Sequence, residues 1–332
     1  MRAEHATYAC GAALGFLGDL LAADPRRGHP VAAFGRAAAA VEARLWRDHR
    51  GHGAVHALFC AGGATAGAAL LRRAVRGPAP VPSPARTAAA TALTAATVWS
   101  VLGGTSLGRE ARAVGEALAA GDLAGARRRL PHLCGRDPQA LDGPQMARAV
   151  VESVAENTSD AVVGALVWGA VGGVPGLVAF RAVNTLDAMV GHKSPRHRRF
   201  GWASARLDDV AGWPGSRLTA ALTVLAAPDR RGAARAWRRD GGAHPSPNAG
   251  PVEAAFAGAL GVRLGGTLAY GGRIEHRPRL NGAGRPVATE DIARAVRLSR
   301  RVSVLALTTT VAGRLLAGAV RPALARRKGR IR

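Results

Sequence analysis

Apolar runs without a single Asp, Glu, Lys or Arg recur along the chain at 51–71, 87–108 and 161–180. Each is about as long as a helix that crosses a bilayer needs to be, roughly 20 residues. Two weaker runs flank them: 6–22, interrupted by Asp19, and 302–320, interrupted by Arg314. The run 218–227 is too short to cross and reads as a buried or re-entrant piece. No two-residue alternation marks out a strand, and no repeat of roughly 20–50 residues is present. The pattern predicts an all-α fold: a polytopic integral membrane helical bundle of about four or five spans, in one membrane-embedded domain, with polar loops forming a site at one face. Polar segments at 148–160, 181–217 and 241–292 supply those loops, while 107–129 reads as an exposed amphipathic helix.

Composition changes this picture little. Hydrophobic residues make up 48% of the 332, and the mean hydropathy of +0.04 is what Arg-rich loops averaged against Ala-rich helices give. The competing reading is a soluble helical protein with Ala-rich core helices. Arg2 precedes the first apolar stretch, but Glu4 and Asp19 fit a cleaved signal peptide poorly, so an uncleaved first membrane helix is expected. With six Lys/Arg in 321–332, a cytoplasmic C-terminus is expected. Arginines in every loop leave the rest of the topology open.

The formal charge is +24, and only Lys193 and Lys328 are lysines. Such a charge suits nucleic acid, anionic lipid or anionic small molecules. Aromatics, at 4%, are too few to interleave with the basic residues, which argues against nucleic acid. Cys10, Cys60 and Cys134 have no paired or zinc-type spacing and read as small buried hydrophobes that need no oxidising compartment.

Candidate chemistry gathers at the lip of the run 161–180, in VESVAENTSDAVVGAL. A helical step of about 100° puts Glu152, Glu156 and Ser159 on one face, Asp160 beside it and Arg148 a turn earlier. Such a face can hold a divalent cation or orient an amine. The plainer reading is a carboxylate cluster favoured by the dipole of a helix starting there, with Asn157, Ser159 or Asp160 as cap. Beyond Phe180, Asn184 and Asp187 share a face, Lys193, Arg196, Arg198 and Arg199 follow in a Pro-broken loop, and Arg206, Asp208 and Asp209 come next. Acid beside base in this way suits a metal-bound polyphosphate, although no P-loop and no GxGxxG after a strand is present. A straight helix over 161–180 would part the two polar sets by about 30 Å. The string GGVPG at 172–176 supplies a break, so a re-entrant hairpin with both sets facing the cytoplasm is expected. Further on, HPSPNAGPVEAAFAGALGVRLGGTLAYGG gives turns through Asn248, a short helix containing Glu253, and glycines 265, 266, 271 and 272 around Tyr270, which allow a bulky or phosphorylated ligand close to the backbone.

Taken together, GDLLAADPRRGHPV, ESVAENTSDAVV, NTLDAMVGHKSPR with RRFGWASARLDDVAGWPGSRLTA, and HPSPNAGPVEAAFAGALGVRLGG resemble the CobD/CbiB family, the adenosylcobinamide-phosphate synthases of cobalamin biosynthesis. The resemblance is collinear from Leu17 to Ile292, and Gly212 stands where similar sequences lead one to expect Asn. It implies a multi-pass protein of the cell membrane that joins the free carboxylate of adenosylcobyric acid to the amine of aminopropanol or its phosphate, with ATP as cosubstrate and Mg²⁺ as cofactor. Its partners would be the corrinoid, the aminoalcohol, ATP, membrane lipid and other membrane enzymes of that pathway, with no nucleic acid. On this resemblance Glu152, Glu156, Asp160 and Asp187 are the expected catalytic residues. Glu156, Asp160, Asp208 and Asp209 are the expected Mg²⁺ ligands. His29, Asn157, Asn184, Lys193, Arg196, Arg206, Asn248 and Tyr270 are expected to bind substrate or phosphate. Two other classes stay open: a non-enzymatic membrane sensor of the AmpE type, which would not need polar sets on both sides of one run, and a transporter, which would place more than Asp19 and Arg314 inside the spans.

Overall fold

The structure, a computed structural model, describes residues 2–24, 28–77, 83–192, 194–270 and 273–328, the side chains of 2, 267–275 and 320–328 excepted. Lys193, the side chain of Tyr270, Gly271, Gly272 and the basic tail singled out above therefore lie outside the described residues.

The chain is mostly helical. In order it forms α1 (Arg2–Ala22), α2 (Pro30–Leu45), α3 (Arg50–Arg76), α4 (Pro84–Val101), α5 (Gly104–Ala119), α6 (Leu123–Arg129), α7 (Gly143–Thr158), α8 (Gly164–Gly172) and α9 (Val174–Leu186). Then come α10 (Trp202–Ala226), α11 (Arg230–Asp240), α12 (Ala249–Leu260), a hairpin of β1 (Leu264–Tyr270) and β2 (Arg273–Leu280), and α13 (Glu290–Lys328). It divides into two compact units. The first comprises Met1–Leu102, Gly164–Ala211 and Ala306–Arg332; the second comprises Gly103–Val163 and Gly212–Leu305.

The first unit rests on helices whose backbones approach closely. On α1 a Cβ at Gly11 would lie 2.8 Å from the Thr91 carbonyl oxygen, and one at Gly15 would lie 2.4 Å from that of Ala95. Small residues four apart let α1 and α4 pack at this distance. The run 161–180 is broken where the sequence analysis expects it. Gly173 has φ +66°, and α8 and α9 fold back on each other so that Gly164 faces Phe180 and Gly176 faces the Trp168 carbonyl. The run 87–108, by contrast, is not one helix: α4 ends at Val101 and α5 begins at Gly104, because Gly103-Gly104 loosens the turn between them.

Among the described helices, α3, with mean hydropathy 1.6, and Glu290–Ala319 within α13, with mean hydropathy 1.5, are long and apolar enough to cross a membrane; α1 and α4 fall short of that combination. Only 22% of the apolar window of α3 is buried, which is unlike a soluble core helix, and Leu58 and Phe59 face outward. Cys10 is exposed and Cys134 half-buried, so of the three cysteines only Cys60 is the buried hydrophobe expected.

In the second unit α12 is buried along its whole length, and a Cβ at Gly258 would lie 2.3 Å from the Gly232 carbonyl oxygen of α11. The hairpin departs from the all-α expectation. Its strands pair antiparallel with a bulge between Leu264 and Gly266, and a glycine-rich strand of this kind carries no alternating pattern to read.

The α8–α9 hairpin generates a stability prediction. Gly176→Ala would push a Cβ to 2.1 Å from the Trp168 carbonyl oxygen, whereas Gly172→Ala would meet nothing within 4 Å. Overpacking of this sort costs about 1–3 kcal/mol. Thermal unfolding of the purified protein should show a lower midpoint for Gly176→Ala and a near-wild-type midpoint for Gly172→Ala.

Candidate active site

Helix α7 begins at a capping box. Asp142 Oδ1 accepts the Gln145 N–H at 2.8 Å, and Gln145 Oε1 accepts the Asp142 N–H at 3.0 Å. From there the chain runs without interruption through a π-helical turn, Ser159–Val163, into α8. No helix begins at Asn157–Asp160. The capping reading of the carboxylates is thereby corrected, since they ride on the C-terminal half of α7, away from the positive end of any helix dipole. Asn157 turns back on its own helix and donates to the Ser153 carbonyl at 2.9 Å.

Glu152 is almost wholly buried and is held from three directions. Arg136, itself buried, pairs with one carboxylate oxygen; the Gly265 N–H donates to the other at 2.7 Å; Arg148 lies a turn back at 4.0 Å. The Gly265 bond depends on the bulge in β1. Gly265 has φ +75°, which frees its N–H from the ladder, and a side chain there would strike the Pro278 carbonyl oxygen at 2.1 Å. Arg148 Nη1 donates to the Gly265 carbonyl at 2.8 Å and fixes the same peptide from its other side.

Around this pair stand Arg136, His244 and Arg277, which the sequence analysis did not single out, and Arg148 and Glu253, which it named without giving them a role in the site. Glu253 is the single charged residue of the buried helix α12, and that lone charge in an apolar helix was the signal available. Burial raises its carboxyl well above the usual carboxylate range, and the charges of Glu152 and Glu156 raise it further. Its Oε1 lies 3.9 Å from His244 Nε2, and Arg277 Nη1 lies 3.3 Å from the same nitrogen. Burial first, and the Arg277 charge second, push His244 below its ordinary value, so it is neutral at pH 7. Glu156 is open to solvent, yet desolvation raises its carboxyl too. The second unit thus gathers three carboxylates, two of them raised, around Arg136, Arg277 and a neutral imidazole, with Glu156 at the solvent-open side of the cluster. Such a cluster can bind an anion, hold a cation between carboxylates, or take a proton at Glu156.

The first unit holds the other expected set. The second π-helical turn, Asp187–Gly191, begins at Asp187 and follows directly on α9. A Cβ at Gly191 would lie 1.8 Å from Asp187 Oδ1, so the glycine makes room for that carboxylate. Asn184 Nδ2 donates to Asp208 Oδ1 at 3.3 Å, and Arg206 pairs with Asp209 at 3.3 Å on the surface. Arg196 has structural contacts: it donates to Glu42 at 3.1 and 3.2 Å and stacks over Trp46. His29 is the N-cap of α2, accepting the Val31 N–H at 3.1 Å, with Asp24 at 3.7 Å. Asn248, in the second unit, accepts from Arg217 at 3.1 Å, and a Cβ at Gly212 would lie 2.5 Å from its amide nitrogen, which accounts for glycine there.

Among the described residues no three His, Cys, Asp or Glu side chains gather into a set able to hold a metal ion alone. Mg²⁺ commonly takes one or two carboxylates together with phosphate oxygens and water. The solvent-open Glu156, with Asp160 one turn on, fits an ion that arrives with a nucleotide.

The comparisons with known proteins agree in direction. The family model described as "CobD/Cbib protein" matches residues 12–299. The chain is 51% identical to the cobalamin biosynthesis protein CobD of Mycobacterium tuberculosis over 309 residues, 92% of this chain and 95% of that protein. It is 45% identical to that of Geobacter metallireducens over 276 residues, 81% and 85%, and 46% identical to that of Rhodobacter capsulatus over 203 residues, 61% and 65%. No solved structure matches the chain.

The raised carboxyls give the folded state a proton affinity that the unfolded chain lacks. Stability from Glu253 is full below its unfolded value, near 4.5, and declines as pH rises toward the folded value. Denaturant unfolding between about pH 5 and about pH 8 should therefore show stability falling with pH. Glu253→Gln, which stays neutral, should flatten that fall and be the more stable protein at the upper end.

Proposed function

Because the chain belongs to the CobD/CbiB family, we propose that it acts in cobalamin biosynthesis as an ATP-dependent acid–amine ligase, joining the carboxylate of adenosylcobyric acid to aminopropanol or its phosphate. The observation that carries the reading is the charged cluster of the second unit, where a solvent-open carboxyl of raised proton affinity, Glu156, stands with the buried Arg136, Glu152 and Glu253 and the half-buried Arg277. Amide formation asks for both kinds of group. The substrate amine arrives as an ammonium ion and has to lose a proton before it attacks, and Glu156 is suited to take it. A carboxylate is a poor electrophile at neutral pH, so ATP is needed to convert it to an acyl phosphate or adenylate, and Mg²⁺, when bound with ATP, would neutralise phosphate charge.

Glu156 and Asp160 are the residues that would hold that ion. Glu152 positions: its pairing with Arg136 and its bond from Gly265 keep the guanidinium and the β1 bulge in place beside them. Arg277 offers positive charge for phosphate oxygens of the aminoalcohol or of ATP. Asp187 with Asn184, and Asp208 and Asp209 with Arg206, form the second polar set, to which Lys193 also belongs in sequence; we assign it to substrate binding. The site would face the cytoplasm, where ATP is available, in a multi-pass protein of the cell membrane. The outward apolar faces of α3 and α13 support that placement.

Purified protein given the corrinoid acid, aminopropanol phosphate, ATP and Mg²⁺ should form the amide. Glu156→Gln and Asp160→Asn keep side-chain shape and remove charge, and each should lower turnover by about 10²-fold or more at limiting Mg²⁺. Near-wild-type turnover in both would remove the assignment. The protein should also fractionate with membranes and require detergent for extraction; monodisperse recovery in high-salt buffer alone would contradict a membrane-spanning fold.

A further inference from the structure

At one end of the first unit two arginines converge on one carboxylate, and a third stands beside them. Arg72 and Arg76, in the last turns of α3, reach Glu4 of α1 at 2.5 and 2.7 Å. Arg314 of α13 donates to the Ala170 and Gly169 carbonyls, at 2.5 and 3.2 Å, and its guanidinium lies over the Tyr8 ring. These side chains line one recess together with Gly173 and Val174, where α9 begins. The recess is shallow: its cavity volume is about 20 Å³, and the rest is open mouth.

Three features of this recess call for an anion. Its described lining residues carry three guanidinium groups against the single carboxylate of Glu4. Tyr8 is 4% exposed, and its hydroxyl has no hydrogen-bond partner; Arg314 Nε is likewise buried without one. Leaving such groups unsatisfied is costly, and native proteins seldom do so without a ligand or an ion to answer them. The third feature is the N-terminus of α9, a helix of 13 residues whose N-cap, Gly173, supplies no side-chain hydrogen bond. Its first N–H groups and dipole favour negative charge at the same place.

What surrounds the recess selects the kind of anion. Leu70 and Leu71 precede Arg72, Leu315 and Leu316 follow Arg314, and Val171 precedes the turn at Gly173; all five are exposed, Val171 at 74%. A soluble phosphate has no use for these side chains. Acyl chains do. We infer that the recess is a binding site for an anionic phospholipid, its phosphate held by Arg72, Arg76 and the Tyr8 hydroxyl, its chains lying along the apolar faces of α3, α8 and α13.

The proposal needs nothing from the charged cluster of the second unit and is tested without turnover. Full-length protein in neutral detergent is titrated with phosphatidylglycerol, with phosphatidylcholine and with inorganic phosphate, and the unfolding midpoint is followed. Phosphatidylglycerol should raise the midpoint, and the other two should leave it in place. Arg76→Gln, at a partly exposed position, should weaken the apparent affinity for phosphatidylglycerol about fivefold. Tyr8→Phe, which deletes only the unpaired hydroxyl, should weaken it about two- to tenfold without lowering the lipid-free midpoint. Four outcomes overturn the inference: no response to phosphatidylglycerol, an equal response to phosphatidylcholine, an equal response to inorganic phosphate, or wild-type lipid affinity in both variants.

Discussion

A carboxylate taken out of water has to be answered by opposite charge and by hydrogen bonds, and Glu152 is answered from three separate stretches of the second unit. Arg136 comes from the irregular segment before α7, Arg148 from α7 itself, and the Gly265 N–H from the bulge of β1. Removing one partner from a buried pair of this kind typically costs about 3–5 kcal/mol. That dependence ties the ends of three elements to one atom group, and the rest of the cluster takes its geometry from it. The neighbouring Glu156 and Glu253 both shift toward the protonated form, by desolvation first; the Glu152 carboxylate adds to the rise at each, while Arg136 and Arg277 oppose it.

What the sequence made legible follows the physics of periodicity. The stripe Arg148, Glu152, Glu156 is a matter of helical spacing, and it lies on one helix as read. The break at 172–176 was announced by glycine and proline, and Gly173 takes the positive φ that such a break needs. The hairpin of β1 and β2 could not be read, because glycine-rich strands alternate nothing. His244 and Arg277 were missed for a different reason: they reach Glu253 and its neighbours through tertiary packing, from a turn and from a strand, with no shared period to betray them. Arg196 and His29 have packing contacts that the sequence did not show: Arg196 fastens its loop to Glu42, and His29 caps α2.

Arginine is used in two distinct ways across this chain. Surface guanidiniums such as that of Arg206 pair with a nearby acid in open solvent, where such contacts contribute little. Arg314 and Arg72 are drawn partly inward, and there each guanidinium serves two acceptors, Arg72 the Glu4 carboxylate and the Gly172 carbonyl, Arg314 the Gly169 and Ala170 carbonyls, which a planar array of donors suits.

The two π-helical turns carry a consequence of their own. A turn of this type is wider than an α-helical turn by roughly one residue, so every side chain beyond it is rotated by about 100° relative to an unbroken helix. The turn at Ser159–Val163 follows α7, and the one at Asp187–Gly191 closes α9. Loss of a single residue within 188–190 would let that turn close up as ordinary α-helix and bring Gly191, which leaves room for Asp187 Oδ1, one position nearer to Asp187. In this protein the chain is therefore far less tolerant of a missing residue there than of many exchanged ones, because the first alters the angular bearing of everything downstream while the second alters only what stands at one bearing.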